Sequence, residues 1–236
     1  MSELDVAIDV IRARKPRRVV AFTGAGISAD SGIPTFRGAD GLWRNFRAED
    51  LATPDAFQRD PLLVWQWYEW RRDLIRRAQP NAAHIAIASL PNATVVTQNV
   101  DGLHARAGAR DVVELHGNIF RARCLRERKT FDAPDAFESL PPHCDCGALL
   151  RPDVVWFGEM LDEENVARAS TVMIGADLLL VVGTSGVVYP AAGLVSLCRG
   201  VTVEINPQPT GACQLSVASR AADSVPKLVE AITLDD

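Results

Sequence analysis

Five short apolar runs limit what this chain can fold into: RRVVAFTG at 17–24, TVVTQN at 94–99, VVELHG at 112–117, DLLLVVGT at 177–184 and VTVEIN at 201–206. All are rich in valine or leucine and bounded by Gly, Asn or Pro. A strand with one wet face alternates apolar and polar residues. These runs do not, which predicts strands covered on both faces, as in a parallel sheet. Helical patterns fall between several of them, including NAAHIAIASL at 81–90 and YPAAGLVSLCRG at 189–200. The opening MSELDVAIDVIRARKP adds an amphipathic helix that ends near Pro16. Strands alternating with helices give an α/β fold: a Rossmann-like, doubly wound parallel sheet whose ligands gather at the C-terminal ends of the strands.

Two stretches break this alternation. Residues 39–80 are helical in pattern, aromatic and rich in arginine, and residues 118–152 are irregular and hold SLPPHCDCG. Together they predict a smaller inserted lobe of 39–80 and 118–152, beside a Rossmann-like lobe of 1–38, 81–117 and 153–236, with a ligand cleft between. A length of 236 residues with 47% hydrophobic content suits one globular unit of this kind.

A net charge of −5 argues against nucleic acid as the partner. The longest apolar run, ADLLLVVGTSGVVYPAAGLV, is interrupted by Gly183, Gly186 and Pro190, so it reads as a buried strand and turn rather than a membrane span. With no secretory signal evident, the expected location is the cytoplasm; with no extended tails, the expected state is a monomer. Of the five cysteines, Cys198 and Cys213 stand alone. Cys124, Cys144 and Cys146 cluster in a polar, Pro-rich region, which in a reducing compartment points to metal more than to a disulfide.

The first run leads into TGAGISADSGIPTFRG, Thr23–Gly38. Gly24 and Gly26 after a strand suit a tight turn against a pyrophosphate, with the amides of the next helix facing the negative charge. Alone this is a weak signal, because a plain strand-to-helix turn uses the same glycines. The ordinary dehydrogenase arrangement is also missing, since Pro34 and Gly38 interrupt the helix it requires. Polar motifs follow other runs: TQNVDGLH at 97–104, LHGNIF at 115–120, VVGTS at 181–185 and VEINP at 203–207. Taken in order from about Arg17 to Val229, GAGIS…GIPTFR, TQNVD, LHG, PDVVWFGE and VGTS…YPA closely resemble the sirtuin family of NAD-dependent protein deacylases.

That resemblance implies NAD as co-substrate and acyl-lysine side chains of proteins as substrate. It assigns Gly24, Ala25, Gly26 and Ser28 to the NAD phosphates, with Ile27, Pro34, Trp43 and Val100 also among the cofactor contacts. Phe36 and Arg37 fall in the loop over the nicotinamide ribose. Gln98, Asn99 and Asp101 serve the nicotinamide ribose, the catalytic water and the carboxamide. Gly183, Thr184 and Ser185 line the phosphate and ribose path, Asn206, Pro207 and Gln208 take the adenosine ribose, and Ala221 packs near the adenine. His116 and Asn99 are the implied catalytic residues. His116 deprotonates a ribose hydroxyl after nicotinamide has left, and the acyl group passes to ADP-ribose. An imidazole, with an unperturbed pKa of about 6.5, suits that step at neutral pH. His84, His104 and His143 carry no comparable claim. Val155 and Phe157 of VVWFGE are expected to line the tunnel for the lysine stem, with the substrate backbone added beside them as a strand. A mono-ADP-ribosyltransferase is the alternative enzyme, and a non-catalytic NAD-binding module a third reading.

The stretch VWQWYEWRRDLIRR, Val64–Arg77, refines the substrate. At about 100° per residue, Leu63, Trp67, Trp70 and Leu74 make one narrow apolar stripe expected in the core. Trp65, Arg72 and Arg76 are expected exposed or at a lobe edge. Between them lies a stripe of Val64, Tyr68, Arg71 and Ile75. From the residues alone, Tyr68 and Arg71 fit a packed Tyr beside a surface salt bridge. The Tyr-x-x-Arg pair, however, resembles the mark of class III sirtuins and implies acyl groups ending in a carboxylate, such as succinyl or malonyl. Arg offers a fixed fork of donors and Tyr a neutral one. The metal pattern departs from the family's two cysteine pairs: Cys124 is followed by Glu127 where a second cysteine is expected, and one residue separates Cys144 from Cys146. Three thiolates bind zinc if His143, Asp145 or another group completes the tetrahedron; otherwise the site is degenerate.

Overall fold

The computed structural model describes residues 1–34, 47–186 and 191–233. Each of the five runs forms a strand: β1 (Val19–Thr23), β2 (Ala93–Thr97), β3 (Val112–Glu114), then, beyond three strands of a second sheet, β7 (Leu178–Val182) and β8 (Val201–Ile205). The second sheet comprises β4 (Gly117–Cys124), β5 (Thr130–Asp132) and β6 (Leu150–Val154), and a last strand, β9 (Leu215–Val217), closes the series. The main sheet has six parallel strands in the order β3-β2-β1-β7-β8-β9. Its order reverses between β1 and β7, and ligand crevices form at such a switch point.

The helices are α1 (Glu3–Arg14), α2 (Ala48–Leu51), α3 (Pro54–Arg59), α4 (Pro61–Arg77), α5 (Ala82–Ser89), α6 (Leu103–Arg106), α7 (Glu163–Gly175) and α8 (Ala221–Thr233). Strands β1, β7 and β8 are buried at every residue. Successive side chains feed opposite layers. Ala21, Leu180 and Val203 pack with Ile11 of α1, Ile87 of α5 and Leu228 of α8. Phe22, Leu179 and Val181 pack with Ala169 and Met173 of α7. The unbroken apolar runs follow from this double coverage.

Three local expectations change. Within 189–200 the described residues form a 3-10 helix, Ala191–Leu197, rather than an α-helix. Strand β9 is too short to stand out as a run. The stretch expected to be irregular carries the antiparallel sheet β5-β4-β6. A register shift between Gly117 and Ala122 gives β4 an uneven burial order, with Ile119, Ala122 and Cys124 inward. A bulge of this kind destroys the period-two pattern by which a strand is recognised.

This small sheet shares a hydrophobic core with α3 and α4, built around Phe57, Trp65, Trp67, Ile119, Leu150 and Trp156. Here the expected faces of α4 are corrected. Trp65 and Arg72, expected at the surface, are each 1% exposed, while Leu63 and Trp70 of the expected core stripe are only half-buried. The stripe of Val64, Tyr68, Arg71 and Ile75 is the middle of the buried arc. Partners distant in sequence turn the helix this way: the Trp65 indole N–H donates to Leu150 O at 2.9 Å. The Arg72 guanidinium donates to Glu69 and to Pro134 O and stands over the Phe137 ring. Both terminal nitrogens of this buried cation are paired, which offsets much of the cost of its burial, while its Nε has no hydrogen-bond partner among the described residues.

Candidate active site

The C-terminal ends of β1, β2, β7 and β8 are drawn together by their own polar groups. Gly24 N donates to Val182 O at 3.0 Å, Gly26 N to Gly183 O at 2.8 Å, and Gly183 N to Ile205 O at 3.0 Å. Gln98 Nε2 donates to Thr184 Oγ1 at 3.1 Å and Asn206 Nδ2 to Thr184 O at 2.8 Å. The backbones meet so closely that a Cβ on Gly26 would lie 2.7 Å from Gly183 Cα. Glycine is therefore required at 26 by packing between strand ends, a reason that the motif alone does not reveal. The amides of Gly24, Gly26 and Ile27 are occupied by internal carbonyls, so they are not donors to a phosphate. The helix expected after them is a short 3-10 turn, Ala25–Ser31.

Above this platform lies a cavity of about 530 Å3. Among the described residues, its wall takes in Gly24, Ala25 and Gly26; Gln98, Asn99, Val100 and His116; Gly183, Thr184 and Ser185; and Asn206 and Gln208. The far end is formed by Tyr68 and Arg71 of α4 with Val155 and Phe157 of the segment after β6. Twelve expected cofactor and catalytic residues and four expected substrate residues thus face one space. Ile27 is fully buried in the core behind it. Pro34, Pro207 and Ala221 are not on the wall, and neither are Ser28 and Asp101, which stand one layer behind Asn99. Phe36, Arg37 and Trp43 lie outside the described residues.

His116 is held in a defined tautomer. Its Nδ1 is 2.8 Å from Gln98 O, and a carbonyl can only accept, so Nδ1 carries the proton and Nε2 is the basic atom. Burial lowers the imidazole's pKa, and the bond to Gln98 O opposes that shift. The ring is therefore neutral at pH 7, with Nε2 able to accept a proton. The next residue, Gly117, has φ +77°, and a Cβ there would come 2.1 Å from Asp153 O. Only glycine permits this exit from β3 into β4. The His116 carbonyl accepts from Val155 N at 2.9 Å, which ties His116 to the segment after β6.

Asn99 donates both amide hydrogens, to Gly24 O at 3.1 Å and Ser28 Oγ at 3.2 Å. Its Oδ1 is thereby the atom it can present to a hydroxyl or a water. Ser28 donates onward to Asp101 Oδ2 at 2.7 Å, while Asp101 Oδ1 accepts from Leu103 N at 2.9 Å. Burial raises the Asp101 carboxyl, and these hydrogen bonds pull it back. Two histidines given no role from sequence complete this layer. His84 Nε2 reaches Ser28 Oγ at 3.5 Å, His104 Nε2 reaches Thr23 Oγ1 at 3.0 Å, and their rings lie 4.8 Å apart. Burial pushes His84 down to about 4 and, with His84 beside it, His104 to about 3. The sequence signal for His84 was its place in the capping box of α5, three residues after Asn81.

At the other end, burial pushes the Tyr68 phenol up to about 12, so it stays neutral. The Arg71 guanidinium lies over the Trp67 ring, 5.1 Å from its centroid. Burial lowers its pKa, and the nearby Tyr68 and Asp101 oppose that change. The cavity also takes in Trp67, expected from sequence only as core, and Trp156 and Glu159, which were not singled out there. A strand period through VVWFGE puts Trp156 opposite Val155 and Phe157. The sheet ends at Val154, however, so the period does not continue. Val155 N donates to His116 O, Trp156 N to Glu159 Oε2 and Phe157 N to Ala52 O. Their N–H groups are therefore spent, and Trp156 O already accepts from Glu159 N at 3.0 Å, which leaves the carbonyl oxygens of Val155 and Phe157 for an added strand.

The Sγ atoms of Cys124, Cys144 and Cys146 all lie within 4.8 Å of one another, so the cluster can hold a metal ion. The set fits three positions of a tetrahedral zinc site. Neither His143, Asp145 nor Glu127 joins it among the described residues. The Glu127 carboxylate pairs with Lys129 at 3.3 Å, while its backbone N–H faces Cys124 Sγ at 3.4 Å. No described helix is long and apolar enough to cross a membrane.

Comparison with known proteins converges on one family. The Sir2 family model matches residues 24–190. NAD-dependent protein deacylase 2 of Pyrobaculum aerophilum is 51% identical over 227 residues, which span 92% of this chain and 91% of that protein. The crystal structure of a Sir2 homolog–NAD complex superposes with a TM-score of 0.89 at 44% identity, over 96% of this chain and 93% of the other. A Sir2–p53 peptide–NAD+ structure does so with a TM-score of 0.83 at 33% identity, over 94% of this chain and 96% of the other.

Proposed function

Because the chain belongs to the Sir2 family, we propose that it is an NAD-dependent protein-lysine deacylase that favours acyl groups ending in a carboxylate, succinyl and malonyl before acetyl. The observation that carries the reading is a neutral His116 of fixed tautomer on the wall of the cavity that also contains Tyr68 and Arg71. The Sir2 homologs captured with NAD and with a peptide support the choice of both substrates.

NAD, when bound, supplies a ribose carbon from which nicotinamide departs and hydroxyls that receive the acyl group. Gly24, Ala25, Gln98, Thr184, Ser185 and Asn206 are the wall residues that would hold it. His116 Nε2 takes the proton from a hydroxyl. Asn99 Oδ1 orients a hydrogen donor, hydroxyl or water, beside it. Trp67 and Val155 give apolar wall beside the lysine stem, and Phe157, 45% exposed, adds apolar surface at the solvent edge. Arg71 and Tyr68 donate to a terminal carboxylate, the one by charge and the other as a neutral phenol. Cys124, Cys144 and Cys146 supply three of the four ligands of a structural Zn2+ that braces the small sheet. The reading includes action as a monomer in the cytoplasm, on protein and not nucleic acid; the net charge of −5 supports the last point.

Mass spectrometry of the products tests the class of reaction. A succinyl-lysine peptide with NAD should yield free lysine, nicotinamide and O-succinyl-ADP-ribose. An ADP-ribosylated protein with the acyl group still on lysine would instead indicate mono-ADP-ribosyl transfer.

A further inference from the structure

We infer that Trp156 is a specificity-positioning residue: its indole N–H fixes the direction in which Tyr68 donates, and so makes the phenol an obligate donor to an acyl carboxylate. This rests on the acidic-acyl reading of the cavity. Trp156 Nε1 lies 2.8 Å from Tyr68 OH, across 88 residues of sequence. An indole nitrogen can only donate. The phenol oxygen must therefore be the acceptor, and its single hydrogen is directed away from Trp156. Both side chains are buried, at 2% and 3% exposure, and both line the cavity, so that hydrogen has no bulk water to turn toward.

The indole cannot swing aside to release this constraint. Arg151 lies over one face, 3.5 Å from the ring centroid, and Phe57 packs at 5.2 Å. Arg151 is itself fixed by a two-pronged pair to Glu159 at 2.6 and 2.9 Å and by donation to Val154 O at 2.7 Å. Glu159 Oε2 in turn accepts the Trp156 backbone N–H at 2.8 Å. A cation over the ring draws electron density from it and strengthens the N–H as a donor. Arg151, Glu159 and Trp156 thus form a relay that ends on the Tyr68 oxygen. A phenylalanine at 156 would keep the apolar bulk but leave the phenol free to point its hydrogen away from the acyl group.

The test is the ratio of kcat/KM for a succinyl-lysine peptide to that for the acetyl-lysine form, measured in a double-mutant cycle of Trp156→Phe and Tyr68→Phe. Trp156→Phe should lower the ratio about tenfold, the worth of one hydrogen bond to a charged group. The loss should appear mainly in KM for the succinyl peptide. In the Tyr68→Phe background the same change should lower it no further, because the two act through one hydrogen bond. If Trp156→Phe does not fold, site-specific replacement of Trp156 by β-(3-benzothienyl)alanine removes the N–H at nearly constant shape and should give the same drop. Equal loss on both peptides, or additive effects of the two substitutions, would make Trp156 merely structural and overturn the inference. If Tyr68→Phe lowers the ratio while loss of the indole N–H does not, the relay fails but the acidic-acyl reading survives. If Tyr68→Phe leaves the ratio unchanged, the inference fails; if the unmodified enzyme shows no preference for the succinyl peptide, the acidic-acyl reading fails with it.

Discussion

The two ends of the cavity are built in opposite ways. The end toward Gly24 and Asn206 is made from backbone and short polar side chains at the tips of β1, β2, β7 and β8, tied to one another by hydrogen bonds. The end toward Tyr68 and Arg71 is made from large side chains of α4 and of the segment after β6, tied together through Trp156. Sheet topology dictates the first end, and only a change of fold would rearrange it. Single side chains dictate the second, and single substitutions can respecify it. The first end should therefore govern whether the enzyme turns over at all, and the second which acyl group it prefers.

The largest effect that separates the two ends is expected from His116→Tyr, which should lower kcat on acetyl- and succinyl-lysine peptides alike, by about 10²- to 10⁴-fold, in a protein that still melts cooperatively. For the unmodified enzyme, kcat/KM should fall at low pH with a midpoint below 6.5, because burial depresses the His116 pKa and only the neutral ring is a base. A midpoint above 6.5, or a folded His116→Tyr protein with near-normal turnover, would remove His116 from the mechanism.

A smaller effect should distinguish the foundations of the two ends. His84 and His104, under the strand tips, are held neutral in the fold, at about 4 and about 3, while the unfolded chain protonates histidine near 6.5. Their stabilisation is complete above pH 6.5 and is lost as pH falls toward the folded values, since the unfolded state then binds more protons. Urea denaturation should show a loss of about 2 kcal/mol per histidine between pH 6.5 and pH 5, and His104→Gln should halve the slope. Stability that stays flat across that range would contradict the buried neutral pair. The smallest effect belongs to the small sheet. Metal analysis should find about one zinc per chain, and Cys144→Ser should abolish it and lower Tm by several degrees. Full metal loading of the Cys144→Ser protein would exclude the trithiolate site.

How legible each end was in the sequence follows from the same contrast. The runs that became β1, β7 and β8 could be read because burial on both faces leaves no polar interruption. The motifs after them name residues that the topology then gathers at the strand tips. The true reason for glycine at 26 was hidden, because Gly183 approaches from 157 residues further along the chain. On α4 the period identified the stripe of Tyr68 and Arg71 but took Trp65 and Arg72 as surface. Charge and sequence spacing carry no trace of the Leu150 and Pro134 carbonyls that bury them. Trp156 was passed over because nothing in VVWFGE shows that the sheet ends at Val154, after which Val155, Trp156 and Phe157 all reach the cavity wall. The bulge in β4 concealed a whole strand in a stretch that looked irregular.

The most direct measurement is the turnover of one peptide carrying acetyl-, succinyl- or malonyl-lysine, each with saturating NAD, by the unmodified enzyme and by Arg71→Met. For the unmodified enzyme, kcat/KM on the succinyl and malonyl forms should exceed that on the acetyl form by about tenfold or more. Arg71→Met should bring the ratio to one or below, since a buried charge-assisted contact with a carboxylate is worth about 1.5–3 kcal/mol. A preference for acetyl-lysine in the unmodified enzyme, unaltered by Arg71→Met, would contradict the division of labour between the two ends.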